Sequence, residues 1–274
     1  MSQPQLTIHE VPPLTRSTLL VALTGWMDGG EVSTGTVRGL MDERELVHVA
    51  SISPAGFYID SFPGSMEIAA LFRPHVKYAG GLMEEFDMAE NDFHADVANN
   101  IAFFIGREPN LNWIGFGDCI FEVAKKLNVE RIIFMGSFGG SVPHTREPRL
   151  FGSVSDPSLL PVLKEHGLRP SDYEGPASFA TYLLKRAPIE GMQMISIAAE
   201  IPGYLQGLNP LSIEAVIRRL AHLMRLNVDL SVLRKASTAW ELQVTEAIEK
   251  DENLAETVHK LEEQYDNDLI AREN

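Results

Sequence analysis

Five polar residues stand where a folded chain could put them to work: Asp28, Asn110, His144, Arg146 and Glu200. His144 carries the side chain that titrates nearest neutral pH, and Arg146, two residues on, can grip a carboxylate or phosphate with two parallel N–H groups. Asp28 and Glu200 could serve as acid and base. Gly29 and Gly30 follow Asp28, while Gly139 and Gly140 precede His144, as in loops whose backbone amides cradle an anion. These nine residues are the candidate ligand-binding set. The plainer expectation is that Asp28 and Glu200 cap helices, that His144 satisfies loop carbonyls, and that Arg146 pairs with Glu147 or another carboxylate.

Other chemistry has less to stand on. The glycine loops contain neither GxGxxG nor GxxxxGK[ST], so both nucleotide fingerprints are missing. Ser137 and Ser141 lie near the glycines, but no GxSxG elbow presents a nucleophile. Cys119 lies on an apolar helical face, which reads as a small core residue. The acidic stretch 84–96, with His94 inside it, offers hard-cation ligands without regular ligand spacing and reads as a solvated loop. No metal and no cofactor is expected.

The elements that would carry the polar residues are buried strands. Apolar runs at 19–23, 101–105, 131–135 and 192–199 lack polar alternation, as in strands covered on both faces by helices. Each ends in glycine, proline or polar residues, so the candidates fall at strand ends, where α/β sheets bind ligands. Gly136, Gly139 and Gly140 are expected to turn the chain sharply after the third run. A further strand is read at 46–52, a short helix or irregular apolar patch at 66–72 and a short edge strand at 76–78. Helical spacing marks 31–41, 113–127, 156–166, 179–185 and 212–226. Two stripes beyond 229, broken at 250–253, read as a helical hairpin.

With 274 residues, 45% of them hydrophobic and 22% charged, the chain can bury a large core without staples. Its net charge of −15 argues against nucleic acid or an anionic membrane surface as main partner. The segment 241–274 holds eleven acidic and three basic residues, so it carries eight of those fifteen charges. One cysteine rules out an internal disulfide, and no secretory leader or membrane span is read, so the expected setting is cytoplasmic.

Several motifs taken together resemble the PAC2 family, named after proteasome assembly chaperones. They are Gly25-Trp26-Met27-Asp28-Gly29-Gly30, Glu108-Pro109-Asn110 with Trp113, Val142-Pro143-His144-Thr145-Arg146, Tyr173-Glu174-Gly175-Pro176, and Ile201-Pro202-Gly203-Tyr204 before a helix. They cover roughly residues 20–225 in order. The resemblance implies an α/β fold of the phosphorylase/hydrolase-like class, a three-layer mixed β-sheet between helices with a C-terminal α-helical extension. It also implies homo-oligomers, with a trimer favoured, and protein partners such as proteasome components. The expected organisation is an α/β domain over 1–228 and an acidic helical hairpin over 229–274.

Two functions follow as expectations. One is a non-catalytic oligomeric protein-interaction or assembly-chaperone-like protein. The other is a small-anion-binding enzyme or sensor at the strand ends. The lack of a complete catalytic signature leans the reading towards the first.

Overall fold

The four apolar runs become the parallel centre of a nine-stranded mixed sheet. The structure, a computed structural model, describes residues 5–42 and 44–273. Strands β2 (Ser17–Thr24), β7 (Ile101–Arg107), β8 (Val129–Gly140) and β11 (Gln193–Pro202) lie in the order β7-β2-β8-β11, all parallel. Their carboxyl ends therefore open on one edge. Strands β6 (Asp92–Asp96), β3 (Val47–Ile52) and β1 (Leu6–Ile8) extend the sheet antiparallel beyond β7. On the other side β9 (Leu150–Val154) runs antiparallel to β11 and carries the two-residue β10 (Arg169–Pro170). Strands β4 (Val76–Ala79) and β5 (Leu82–Phe86) form a separate hairpin.

Successive strand side chains point to opposite faces, and this builds two cores. Leu19, Val21 and Leu23 of β2 face one way with Ile132 and Phe134 of β8, against α3 (Trp113–Lys126) and α5 (Phe179–Arg186). Leu20 and Ala22 face the other way with Ile133 and Met135, against α1 (Val32–Met41), α4 (Leu160–Glu165) and α6 (Pro210–Met224). The result is the three-layer α/β fold that the sequence implies. Each fully buried Phe or Leu contributes about 1.5–3 kcal/mol, so neither core needs a covalent staple. Cys119 is buried among these residues, as expected.

Helix starts follow local chemistry. Asn112 Oδ1 accepts from Gly115 N at 3.1 Å at the start of α3, and Ser178 Oγ accepts from Thr181 N at 3.2 Å at the start of α5. Asn209 Oδ1 accepts from Ser212 N at 2.9 Å, and Pro210 fills the first position, so α6 begins before the expected Ser212. A short α2 (Met66–Ala70) precedes the hairpin. The C-terminal extension is α7 (Ser231–Ile248) and α8 (Glu252–Glu273). Asp251 Oδ1 accepts from Asn253 N and Leu254 N, both at 3.1 Å, which starts α8 and breaks the stripe at the interruption visible in the sequence.

Three expectations need correcting. The acidic stretch is not one solvated loop: β5 and β6 run through it, and the period-two pattern of Phe93 and Ala95 packs inward between acids. Asp96 is buried and pairs with Arg44 at 2.7 Å; burial pushes its carboxyl up, but the hydrogen bonds from Asn99 and Arg44 together hold it below the ordinary value. The segment at 76–78 pairs with β5 in the separate hairpin and does not edge the main sheet. Lastly, Gly136, Gly139 and Gly140 are strand residues within β8 and make no turn. The role of Gly136 and Gly140 is close approach. A Cβ on Gly140 would lie 2.4 Å from Glu200 Cγ, and one on Gly136 would lie 3.1 Å from Met27 Cβ.

Candidate functional site

The parallel centre sends its loops to one edge, and the loop after β8, residues 141–149, carries most of the polar chemistry. Glu200, near the end of β11, anchors its start. Its Oε1 accepts from Ser141 N at 2.7 Å and Val142 N at 3.2 Å, and its Oε2 meets Arg149 Nη1 at 3.2 Å. Both side chains of that ion pair are buried. Gly140 is what lets the Glu200 carboxylate lie so close to the strand. Glu200 is thus a loop anchor and caps no helix.

His144 is held on both ring nitrogens. Nδ1 lies 2.8 Å from Tyr204 Oη and Nε2 lies 3.0 Å from Thr245 Oγ1. Thr245 Oγ1 donates its hydrogen to Glu241 O at 2.9 Å, so towards the ring it accepts, which places the imidazole hydrogen on Nε2. Nδ1 then accepts from the Tyr204 hydroxyl, whose oxygen accepts from His144 N at 2.9 Å. Every donor has an acceptor with the ring neutral. Burial works the same way, pushing the His144 pKa below its ordinary value against a weaker pull from Glu262. The partners are hydroxyl groups, where loop carbonyls were expected.

Arg146 is occupied as an anion clamp by the protein's own carboxylate. Its Nε donates to Asp266 Oδ1 and its Nη2 to Asp266 Oδ2, both at 2.9 Å, with Glu262 3.7 Å from Nη1. The Asp266 hydrogen bonds lift the arginine's pKa, and the arginine holds the Asp266 carboxyl low. Thr145 donates to Glu262. Arg149 reaches Asp268 at 3.2 Å, lies over the Tyr265 ring at 4.6 Å, and Tyr265 Oη donates to Glu147 O at 2.9 Å. One face of α8 therefore seals the loop, with Val258 and Tyr265 buried beneath it and α7 contributing Thr245.

The remaining candidates serve the scaffold around this loop. Asp28 accepts from Thr34 N at 3.0 Å and Thr34 Oγ1 at 2.9 Å, so it caps the first turn of α1, as expected, with burial raising its pKa. Gly29 O accepts from Ser137 Oγ at 2.6 Å, joining this loop to β8. Gly30 has φ +65°, and a Cβ there would lie 2.8 Å from Asn209 Cβ. Gly139 passes Gly203 with ordinary spacing. Asn110 makes its hydrogen bonds elsewhere: its N donates to Phe57 O at 2.9 Å and its Oδ1 accepts from Ile59 N at 3.3 Å. The structure thus puts His144 and Arg146 on one loop, with Gly139 and Gly140 of β8 and Glu200 of β11 at its start, joins Asp28, Gly29 and Gly30 to its base, and ties Asn110 to the 57–59 turn.

Sequence reasoning passed over Arg149, Tyr204, Thr245, Glu262, Tyr265 and Asp266 as site residues. One signal was legible: Glu262 and Asp266 are four apart on a helix, and Arg146 and Arg149 three apart on a loop, two ladders of opposite charge. Glu108 was also passed over. Its Oε2 accepts from Trp26 N at 3.1 Å and its Oε1 from Phe179 N at 2.7 Å, tying two strand-end loops to α5.

A cleft of about 750 Å³ opens nearby, at the ends of β2 and β7, with Thr24, Arg38, His94 and Arg107 in its wall. Asp87, Glu90 and Asp92 line it too, so its cations face an equal or greater number of acids.

A model of the PAC2 family matches residues 22–248. Solved structures agree in fold. A Mycobacterium tuberculosis protein of unknown function is 23% identical with a TM-score of 0.85, covering 100% of this chain and 93% of that one. A proteasome-assembly chaperone homologue from Mycobacterium tuberculosis is 25% identical with a TM-score of 0.75, covering 88% and 99%. An archaeal proteasome activator from Pyrococcus furiosus is 16% identical with a TM-score of 0.63, covering 88% and 97%. No protein of curated function matches the chain.

Proposed function

We propose, from the premise that this chain belongs to the PAC2 family, that it is a non-catalytic, homo-oligomeric protein-interaction protein of the assembly-chaperone kind, with proteasome components as its partners. The observation that carries the reading is the state of the loop at 141–149. Arg146, the anion clamp of any strand-end chemistry, holds Asp266 with both prongs, and both nitrogens of His144 are engaged by Tyr204 and Thr245. A general base or an anion clamp has to be free to meet its substrate. Here the same groups fasten a helix. The partner class comes from two structural relatives, described as a proteasome-assembly chaperone homologue and an archaeal proteasome activator. A trimer remains the favoured assembly and the cytoplasm the expected setting, to which a single buried cysteine is suited.

The alternative, a small-anion enzyme or sensor, draws less support. Its arginine is neutralised inside the protein, and the nearby cleft mixes Arg38 and Arg107 with three acids. Affinity purification of the full chain from its native cells tests the proposal. We expect proteasome subunits, reproducibly and in fixed ratio to the chain. Recovery of the chain with no protein in fixed ratio, in preparations that also turn over a small anionic substrate, would overturn it.

A further inference from the structure

Strands β2 and β7 lie side by side and parallel, yet the chain leaves them in opposite directions. Helix α1, which follows β2, packs on one face of the sheet through Val32, Val37 and Leu40. Helix α3, which follows β7, packs on the other through Phe116 and Ile120. Neighbouring parallel strands whose connections part to opposite faces leave a crevice between their carboxyl ends, and open α/β sheets bind small molecules in that crevice. Here the crevice is the cleft of about 750 Å³, within the roughly 300–1,000 Å³ that small-molecule sites occupy.

The walls of the cleft come from separate parts of the fold. Thr24 ends β2, Arg107 ends β7, and Arg38 stands on α1. The remaining side belongs to an arm. Residues 60–90 leave the body of the molecule beside Tyr58, form α2 and the β4–β5 hairpin, and return at Asn91, where Tyr58 Oη donates to Asn91 Oδ1 at 2.7 Å. Residues 86–90 of that return line the cleft.

The charges in this cleft do not satisfy one another. Asp92 is engaged by Ser51 Oγ at 2.6 Å and His48 Nε2 at 3.2 Å. Among the described residues, Arg38 and Arg107 form no ion pair, and neither do Asp87 and Glu90. Two cations on α1 and β7 therefore share a cleft with two carboxylates on the arm's return, and the elements that carry them hold the two signs apart. An anion would gain the arginines and meet the carboxylates, and a cation would suffer the reverse. A ligand that carries both signs complements both pairs.

We propose that the cleft binds a compact zwitterion of the amino-acid or short-peptide class. Its carboxylate lies on Arg38 and Arg107, which suit planar carboxylate oxygens. Its ammonium group lies towards Asp87 and Glu90, and an apolar side chain lies against Phe86, Met88 and Ile105. No reaction is implied. The inference is independent of the partner reading above, and neither falls with the other.

Isothermal titration of the full chain with leucylleucine, its N-acetyl form, its C-terminal amide and free leucine tests it. We expect the free dipeptide to bind and each blocked form, which lacks one of the two charges, to bind about tenfold more weakly. Leucine binding as tightly as the dipeptide assigns the site to amino acids, and weaker leucine binding assigns it to peptides. Arg38→Gln with Arg107→Gln should erase the preference for the free dipeptide over its amide. Asp87→Asn with Glu90→Gln, on the exposed return of the arm, should erase the preference over the N-acetyl form and leave the thermal midpoint unchanged. No heat with either leucine or leucylleucine overturns the proposal. So does equal binding of the free and blocked forms, or wild-type selectivity in both folded variants.

Discussion

Arg146 and Asp266, 120 residues apart, meet through two parallel hydrogen bonds of 2.9 Å each, and that pair is the two-pronged contact among several that join the strand-end loop after β8 to α8. The acidic character of the C-terminal segment is thereby explained in part. Glu262, Asp266 and Asp268 face Thr145, Arg146 and Arg149, while the acids on the opposite face meet water.

Removing the clamp should loosen α8 without unfolding the sheet. In Arg146→Ala we expect amide hydrogen exchange across α8 to speed up by about tenfold, with β2, β8 and β11 unchanged, as befits a local opening. Exchanging the charges in Arg146→Asp with Asp266→Arg should recover part of the protection. Equal loosening of core strands would show that the loop, and not the helix alone, depends on the pair.

Gly140 is required for space, and its strand backbone would accept other residues. Gly140→Ala places a carbon 2.4 Å from Glu200 and should cost about 1–3 kcal/mol in denaturant unfolding, the usual range for overpacking. Gly139→Ala, whose new carbon would meet Gly203 Cα at 3.4 Å, is the matched control and should stay near wild type.

Glu200 does two jobs, which two substitutions separate. Glu200→Gln keeps an acceptor for Ser141 N and Val142 N but gives up the buried charge beside Arg149, and should cost about 2 kcal/mol. Glu200→Leu gives up both and leaves the guanidinium with Asp268 as its one remaining carboxylate among the described residues, at a cost of about 4 kcal/mol. Equilibrium unfolding of the two variants should rank them in that order.

Stability should fall on mild acidification. His94, His144 and His166 all have pKa values pushed below the ordinary 6.5, in each case first by burial. Below pH 6.5 the unfolded chain takes up protons that the folded chain refuses, so the contribution is complete above that pH and is lost as pH falls. Thermal melts between pH 7.5 and 5.5 should show the midpoint descending. His144→Gln, which removes one of the three, should flatten the slope. At lower pH the carboxyls of Glu262 and Asp266, held low by their partners on the loop, should release α8.

Much of this architecture was legible in the chain because burial on both faces leaves a plain signature. The runs ending at Leu23, Ile105, Met135 and Ala199 are apolar without alternation, and they became the parallel centre. Strand β6 was hidden because Asp92, His94 and Asp96 alternate with Phe93 and Ala95, and the acids suggested water. Strand β9 was hidden by Gly152, which is there because Leu163 packs where its side chain would be, 2.5 Å from a built Cβ.

At the site, single residues were easier to read than their partners. His144 and Arg146 stood out by type and spacing, but their partners are distant in sequence: Tyr204 lies 60 residues after His144, and Thr245 and Asp266 lie 101 and 120 residues on, in helices whose stripes announce a packed face without saying against what. The arm at 60–90 shows the opposite failure. In the sequence it reads as a short helix or apolar patch and an edge strand, and only the fold reveals that one chain leaves its apolar residues bare.

Native mass spectrometry of the tagged chain, purified from its own cells without crosslinking, tests the central claim most directly. The account predicts an assembly holding several copies of the chain, with a species carrying proteasome subunits in whole-number ratio to it. A chain that flies alone, with a small anionic molecule bound and Arg146 essential for retaining it, would contradict the account.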